Sequence, residues 1–106
     1  MAQPEHEELA RRLLKRAEEM LALAEQGEWT LLAQREQERQ ELASDLFANP
    51  VPREAASTVA ECVREVLTID QKLLALVDQR KEEAVQALRE AEVGKKALDA
   101  YRRFSR

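Results

Sequence analysis

The chain has 106 residues, which allows one domain with a modest core. Hydrophobic residues make up 44% and charged residues 36%, whereas aromatic residues reach 4% and the sequence contains two glycines and three prolines. Good helix formers such as alanine, leucine, glutamate, arginine and glutamine dominate, so the composition indicates an all-α protein and argues against a sheet. The net charge of −4 disfavours nucleic acid and anionic membrane as partners of the whole protein.

Cysteine usage and the N-terminus indicate where the protein works. Cys62 is the single cysteine, so no disulfide forms within the chain, and its apolar neighbours predict a buried structural thiol. No apolar run approaches the ~20 residues of a membrane span. The N-terminal residues are acidic and lack the basic region of a signal peptide. We therefore expect a soluble, cytoplasmic protein without membrane insertion.

The first two helices are predicted as an antiparallel pair. Apolar residues recur at helical spacing over residues 5–26, and Gly27 suits the left-handed position that ends a helix. A second helix is predicted for residues 28–48, and the short connection makes it turn back along the first. Residues 34–41 of this helix are all polar, so they are either solvated or face a polar partner surface.

Prolines separate the second helix from a long third one. Pro50 and Pro52 interrupt the helical pattern, which then continues over residues 53–91. Val93 and Gly94 are expected to end this helix, and a short fourth helix is predicted for residues 95–104. Residues 1–106 thus form a single predicted domain, an antiparallel helical bundle of three long helices plus a short C-terminal helix.

The helix lengths predict an uncovered apolar surface. The first helix is about 33 Å long and the third about 58 Å, so the third exceeds its neighbours by about 25 Å. An apolar series without cover inside the chain predicts a partner-binding surface, filled by the fourth helix, a second protomer or a client. The candidate partner-binding residues are Leu73, Val77, Ala84, Val85 and Leu88.

The predicted fourth helix is too short to be stable alone in water. We expect Leu98, Tyr101 and Phe104 to pack against the uncovered end of the third helix, either as a regulatory lid or as a permanent core helix. Residues 95–106 carry five basic side chains against Asp99. These cations either complement the dipole of their own helix or contact an acidic or nucleic-acid partner.

Catalytic patterns are weak, so we predict no enzyme, no metal and no cofactor. His6 is the single histidine and has no His or Cys beside it. Residues 64–80 resemble the opening helix of the all-helical chorismate mutases, and residues 89–92 read Arg-Glu-Ala-Glu. That fold places a long segment between two such stretches, whereas eight residues separate Arg80 from Arg89 here. A chorismate mutase-like enzyme is therefore a remote alternative.

Three stretches together resemble the FliT family. Residues 21–29 combine a helix, a tight turn and Trp29; residues 66–80 contain Leu-Leu-Ala-Leu; residues 94–101 join a small residue, a basic patch and Tyr101. Trp29 directly follows the turn, so we predict that it is buried between the ends of the first two helices rather than contacting a client.

The resemblance implies a flagellar type III export chaperone. Members of that family bind the C-terminal segment of the filament-cap protein, and the last helix acts as a regulatory lid. The export ATPase and a flagellar transcriptional activator are further partners that the resemblance implies. The alternative from another class is a homo-oligomeric helical adaptor without an export role.

Overall fold

The computed structural model describes residues 5–104, apart from the side chains of Tyr101 and Phe104. It contains three helices, α1 (His6–Glu25), α2 (Trp29–Phe47) and α3 (Ala56–Phe104), and the described residues between them form turns and bends. The predicted all-α class is confirmed. No helix in this described part of the chain is long and apolar enough to span a bilayer. Internal contacts divide the chain into a first unit that ends at Leu76 and a second that begins at Val77.

A glycine turn joins α1 to α2. Gly27 has a positive φ of 75°, a conformation that costs glycine little because it has no Cβ. Its amide donates to the Ala24 carbonyl at 3.1 Å, and the Glu28 amide donates to the Leu23 carbonyl at 2.9 Å. These two bonds form a Schellman motif, which satisfies carbonyl groups that the helix end leaves free. The predicted role of Gly27 is confirmed.

The core of the first unit is formed by all three helices. α1 carries an apolar stripe at helical spacing, and the early turns of α3 carry a second one. Among the described residues of α2, Leu46 is the one that is fully buried. The core cluster consists of Leu9, Ala10, Leu13, Ala17, Leu46, Ala55, Val59, Cys62 and Val66. Burial of the Cys62 thiol therefore agrees with the sequence prediction.

Four charged side chains connect the polar centre of α2 to α1. Arg16 lies 2.8 Å from Glu19 and 3.2 Å from Glu38, and Arg35 lies 3.0 Å from Glu38 and 3.9 Å from Glu19. Positive and negative groups alternate around this closed cycle. The pairs between α1 and α2 also advance along the two helices in opposite directions, which shows that the helices are antiparallel.

A further ion pair connects the centre of α2 to α3. The Arg39 guanidinium donates a hydrogen bond to the Asp70 carboxylate, and it lies 3.1 Å from Glu36 on its own helix. Arg39 is half-buried. The polar run over residues 34–41 is thus neither simply solvated nor reserved for another protein, because several of its members pair with α1 and α3 of the same chain.

The boundaries of α3 differ from the predicted ones. Residues 53–55 form a turn before the helix, with the Ala55 amide donating to the Pro52 carbonyl at 3.0 Å. At the other end α3 continues through Gly94 to Phe104, so the separate fourth helix over residues 95–104 was a wrong prediction. A glycine inside a helix costs about 1 kcal/mol relative to alanine, and good helix formers without a proline surround Gly94. That cost is too small to interrupt the helix.

Trp29 and the described side chains of the second unit are exposed. Trp29 is the first residue of α2 and is 39% exposed, so the prediction of a buried aromatic at the turn was wrong in extent. The second unit consists of the part of α3 that begins at Val77, and every side chain described there is exposed.

Leu46 and Phe47 provide a matched test of the core. Leu46 is 0% exposed, whereas its neighbour Phe47 is 60% exposed. Leu46→Ala removes buried methyl groups and leaves a cavity, so we expect it to lower the free energy of unfolding by about 2–5 kcal/mol. Phe47→Ala should lower it by less than about 1 kcal/mol. Urea denaturation followed by circular dichroism measures both values, and equal losses would contradict the placement of the core.

Alanine substitutions at the two glycines are expected to have opposite effects on stability, and the one at Gly94 tests the continuity of α3. Gly94 has no positive φ, and a Cβ added there would meet no atom within 4 Å, so Gly94→Ala should stabilise the helix around it by about 0.5–1 kcal/mol. Gly27→Ala is expected to destabilise the protein because alanine resists a positive φ. Hydrogen exchange of the amides around residue 94 checks the first effect, and weaker protection in Gly94→Ala would indicate a helix end there.

Candidate partner-binding surface

The structure divides the five predicted partner-binding residues between the two units. Leu73 is half-buried and belongs to the first unit. Val77, Ala84, Val85 and Leu88 belong to the second unit and are exposed. The surface that remains available for a partner in the second unit therefore begins at Val77.

Four of the exposed apolar residues form a line along the second unit. Val77, Ala84, Leu88 and Ala91 are separated by seven, four and three residues, a spacing that places them on one side of a helix. We call these four residues the apolar stripe. It extends for about 21 Å along the axis, and Val85 borders it. Leu88 is 65% exposed, so a large part of its side chain is available for contact.

Hydrogen-bonded polar side chains occupy the side of the helix opposite the apolar stripe. Gln79 donates to Glu83 at 3.4 Å, and Gln86 donates to Glu90 at 3.3 Å. Residues at these positions are rotated by roughly 160–220° from Leu88, at about 100° per residue. The second unit thus has an apolar side and a polar side, although nothing in its own described residues buries the apolar one.

A shallow groove lies beside the apolar stripe. It is lined by Lys81, Glu82, Val85, Gln86 and Arg89. Val85 lies one turn from Lys81 and one turn from Arg89, so its exposed side chain has a cation on either side along the axis.

The three predicted lid residues lie beyond the apolar stripe. Leu98 is exposed and continues α3, and the side chains of Tyr101 and Phe104 lie outside the described residues. In a continuous helix Leu98 is about 15 Å further along the axis than Leu88. Leu98 therefore does not cover Leu88 in this structure.

The groups that could support chemistry are dispersed. No cluster of three or more His, Cys, Asp or Glu able to hold a metal ion occurs within residues 5–104 as described. Arg64, Arg80 and Arg89, which carry the mutase-like pattern, are exposed. Burial raises the pKa of the Cys62 thiol, and nearby carboxylates raise this pKa further, whereas a nearby arginine lowers it. The thiol is therefore held in its neutral form.

The ion pairs that connect α1 and α2 in the first unit were not predicted from the sequence. Arg16, Glu19, Arg35 and Glu38 each belong to an Arg–Glu pair spaced by three residues on one helix. That repeated spacing was a signal for a charged seam between two antiparallel helices. The seam borders a polar groove lined by Arg12, Lys15, Arg16, Glu19, Glu38, Glu41, Leu42 and Asp45. This groove carries both signs of charge.

Comparisons with known proteins agree with the resemblance found in the sequence. The family described as "Flagellar protein FliT" matches residues 7–103. The searches of curated proteins and of solved structures give no match. The matched residues include nearly all of α1, the whole of α2 and almost all of α3. The chain therefore belongs to the FliT family, which is a family of flagellar export chaperones.

Proposed function

We propose that this protein is a cytoplasmic flagellar export chaperone that binds the C-terminal segment of the filament-cap protein through the apolar stripe. The exposed apolar stripe is the observation that carries the proposal, because a surface of this kind gains stability when an apolar partner covers it. Membership of the FliT family supplies the biological setting. The binding mode is an amphipathic helix laid against a helical surface.

The size of the apolar stripe supports a reversible complex. Burying a Val or Leu side chain contributes about 1.5–3 kcal/mol, and the largest side chains here are Val77, Val85 and Leu88. Much of that gain is offset by the cost of association and of ordering the client segment. A complex of this kind holds its client before export and releases it without a large barrier.

A regulatory lid is the second part of the proposal. In the structure α3 is continuous and nothing in the described second unit covers the apolar stripe. In the proposal, this arrangement is the one that accepts a client. The lid state requires α3 to break near Gly94, where helix propensity is lowest, so that Leu98 can fold back. The client and residues 95–104 then compete for the same surface. Family membership adds the export ATPase and a flagellar transcriptional activator as further proposed partners.

Leu88 and Val93 form a matched pair for testing the client site. Leu88 lies on the apolar stripe and is 65% exposed, whereas Val93 is 67% exposed but is rotated by about 140° from Leu88. Leu88→Ser should weaken binding of the cap protein's C-terminal segment by about tenfold, because it removes one buried side chain. Val93→Ser should change the affinity less than about twofold. Isothermal titration calorimetry gives both dissociation constants.

Two results would count against this proposal. If the purified chain does not bind the C-terminal segment of the cap protein, the proposed client is wrong. Equal losses in the Leu88 and Val93 variants would show that the apolar stripe is not the site. Sedimentation equilibrium separates the adaptor alternative, because a tight homodimer that Leu88→Ser dissociates would assign the stripe to a second copy.

Truncation after Glu92 tests the lid. The shortened chain retains the whole apolar stripe and the complete first unit. If residues 95–104 compete with the client, Gly94→Ala should tighten client binding by severalfold because it opposes the break, and truncation should do the same at high salt, where the cations lost with these residues contribute little. Fluorescence anisotropy of a labelled client segment measures both. Unchanged client affinity in both variants would contradict the lid and would indicate that α3 stays continuous in the client-free protein.

A further inference from the structure

The charges of the second unit are not evenly distributed around the helix. At about 100° per residue, the half of the helix centred on the apolar stripe can be separated from the opposite half. Among residues 77–104, the stripe half carries four cations and two acids, Arg80, Lys81, Lys95 and Arg102 against Glu92 and Asp99, and Arg103 lies on the dividing line. The opposite half carries more acids than cations: Asp78, Glu82, Glu83 and Glu90 against Arg89 and Lys96. Along residues 77–104, the side of α3 that carries the apolar stripe thus has a net positive charge.

Two of these cations lie on the line of the apolar stripe itself. Lys95 follows Leu88 by seven residues and Arg102 follows it by fourteen, so both continue the same side of α3. Both are exposed. Arg80 is partly compensated, because its guanidinium lies 3.3 Å from Glu83. A partner that lies along this side therefore meets mainly apolar groups as far as Ala91, and beyond it meets Lys95 and Arg102 together with Leu98 and Asp99.

We infer that the segment that occupies the apolar stripe is an acidic amphipathic helix. Its apolar side covers Val77, Ala84 and Leu88, and its carboxylates face Lys81, Lys95 and Arg102. The inference deepens the proposed function, on which it rests in taking the apolar stripe as the client site. Charged residues at the rim of an interface select the partner, since like charges there are unfavourable.

A second copy of the chain fits this surface poorly. An antiparallel pair of stripes that places Ala84 against Ala91 and Val77 against Leu98 also places Arg80 against the partner subunit's Lys95. The cationic halves of the two helices then face one another. A second copy would bring the repulsion that an acidic helix avoids.

The net charge of the chain does not account for a preference for an acidic helix. The whole chain has a net charge of −4, so it repels an acidic peptide that has no specific site. Tight binding of an acidic helix requires a local positive surface, and the side of α3 that carries the apolar stripe provides one.

Two labelled peptides test the inference directly. Both have leucine at positions 1, 4, 8, 11, 15 and 18 of a sequence of about 21 residues, a spacing that follows the helical repeat. One has glutamate at the positions that flank the leucines and the other has lysine there. The acidic peptide should bind the full chain at least about tenfold more tightly than the basic one, with each rim charge contributing up to about fivefold. Raising the salt from about 50 mM to about 300 mM should reduce this difference.

Lys95 and Lys96 supply the matched variants. They are adjacent, exposed and identical in charge, but Lys96 is rotated by about 100° away from the apolar stripe. Lys95→Glu should weaken binding of the acidic peptide by about three- to tenfold and strengthen binding of the basic peptide. Lys96→Glu should change the affinity for either peptide by less than about twofold. Circular dichroism confirms that each variant keeps its helix content.

Several outcomes would overturn the inference. These are equal binding of the two peptides, binding of neither, or equal effects of Lys95→Glu and Lys96→Glu. Binding of duplex DNA that is lost in Lys95→Glu and retained in Leu88→Ser would assign the cations to nucleic acid instead. The proposed function can stand without the inference, since a cap-protein segment of another charge could still bind in a manner that depends on Leu88. Conversely, if the chain prefers the acidic peptide but does not bind the cap protein, the proposed client is wrong and the inference about an acidic helix stands.

Discussion

The first unit depends on the packing of Leu46 with the stripes of α1 and α3. Among the described residues of α2, Leu46 is the fully buried one, so it is the main apolar anchor of this helix in the core. At its other end, α2 is held by the Schellman turn at Gly27, which fixes the direction of the chain. The turn at one end, and Leu46 with the half-buried Leu42 and Ala43 at the other, therefore hold the two ends of this helix of 19 residues.

Between these two points, α2 is positioned by charge. Exposed or half-exposed ion pairs contribute little to stability, typically less than about 1 kcal/mol each. Their value here is in register, because a shift of α2 along α1 would separate Arg16 from Glu38 and bring like charges together. The pair between Arg39 and Asp70 sets the register of α2 against α3 in the same way. Apolar contacts thus supply most of the stability of the first unit, and polar contacts supply much of its specificity.

The core and the proposed partner-binding surface lie in different parts of the chain. The fully buried apolar side chains all belong to the first unit, and every described side chain of the second unit is exposed. A chaperone benefits from this division, because its binding surface can match a client without disturbing a core. In the proposed complex, the uneven charge around α3 adds selectivity, which contacts through Val, Leu and Ala alone would not provide.

Local features of this protein could be predicted from the sequence. Helix composition, the apolar period of α1 and the glycine turn depend on neighbouring residues, and the family was recognisable from three short stretches. The tertiary structure decided the remaining features. It showed that α3 continues through Gly94, that Trp29 stays partly exposed and that Arg39 meets Asp70. These features depend on small propensity differences or on contacts between residues far apart in the chain. The register of packed helices, which sequence periodicity does not specify, decides which of those residues meet.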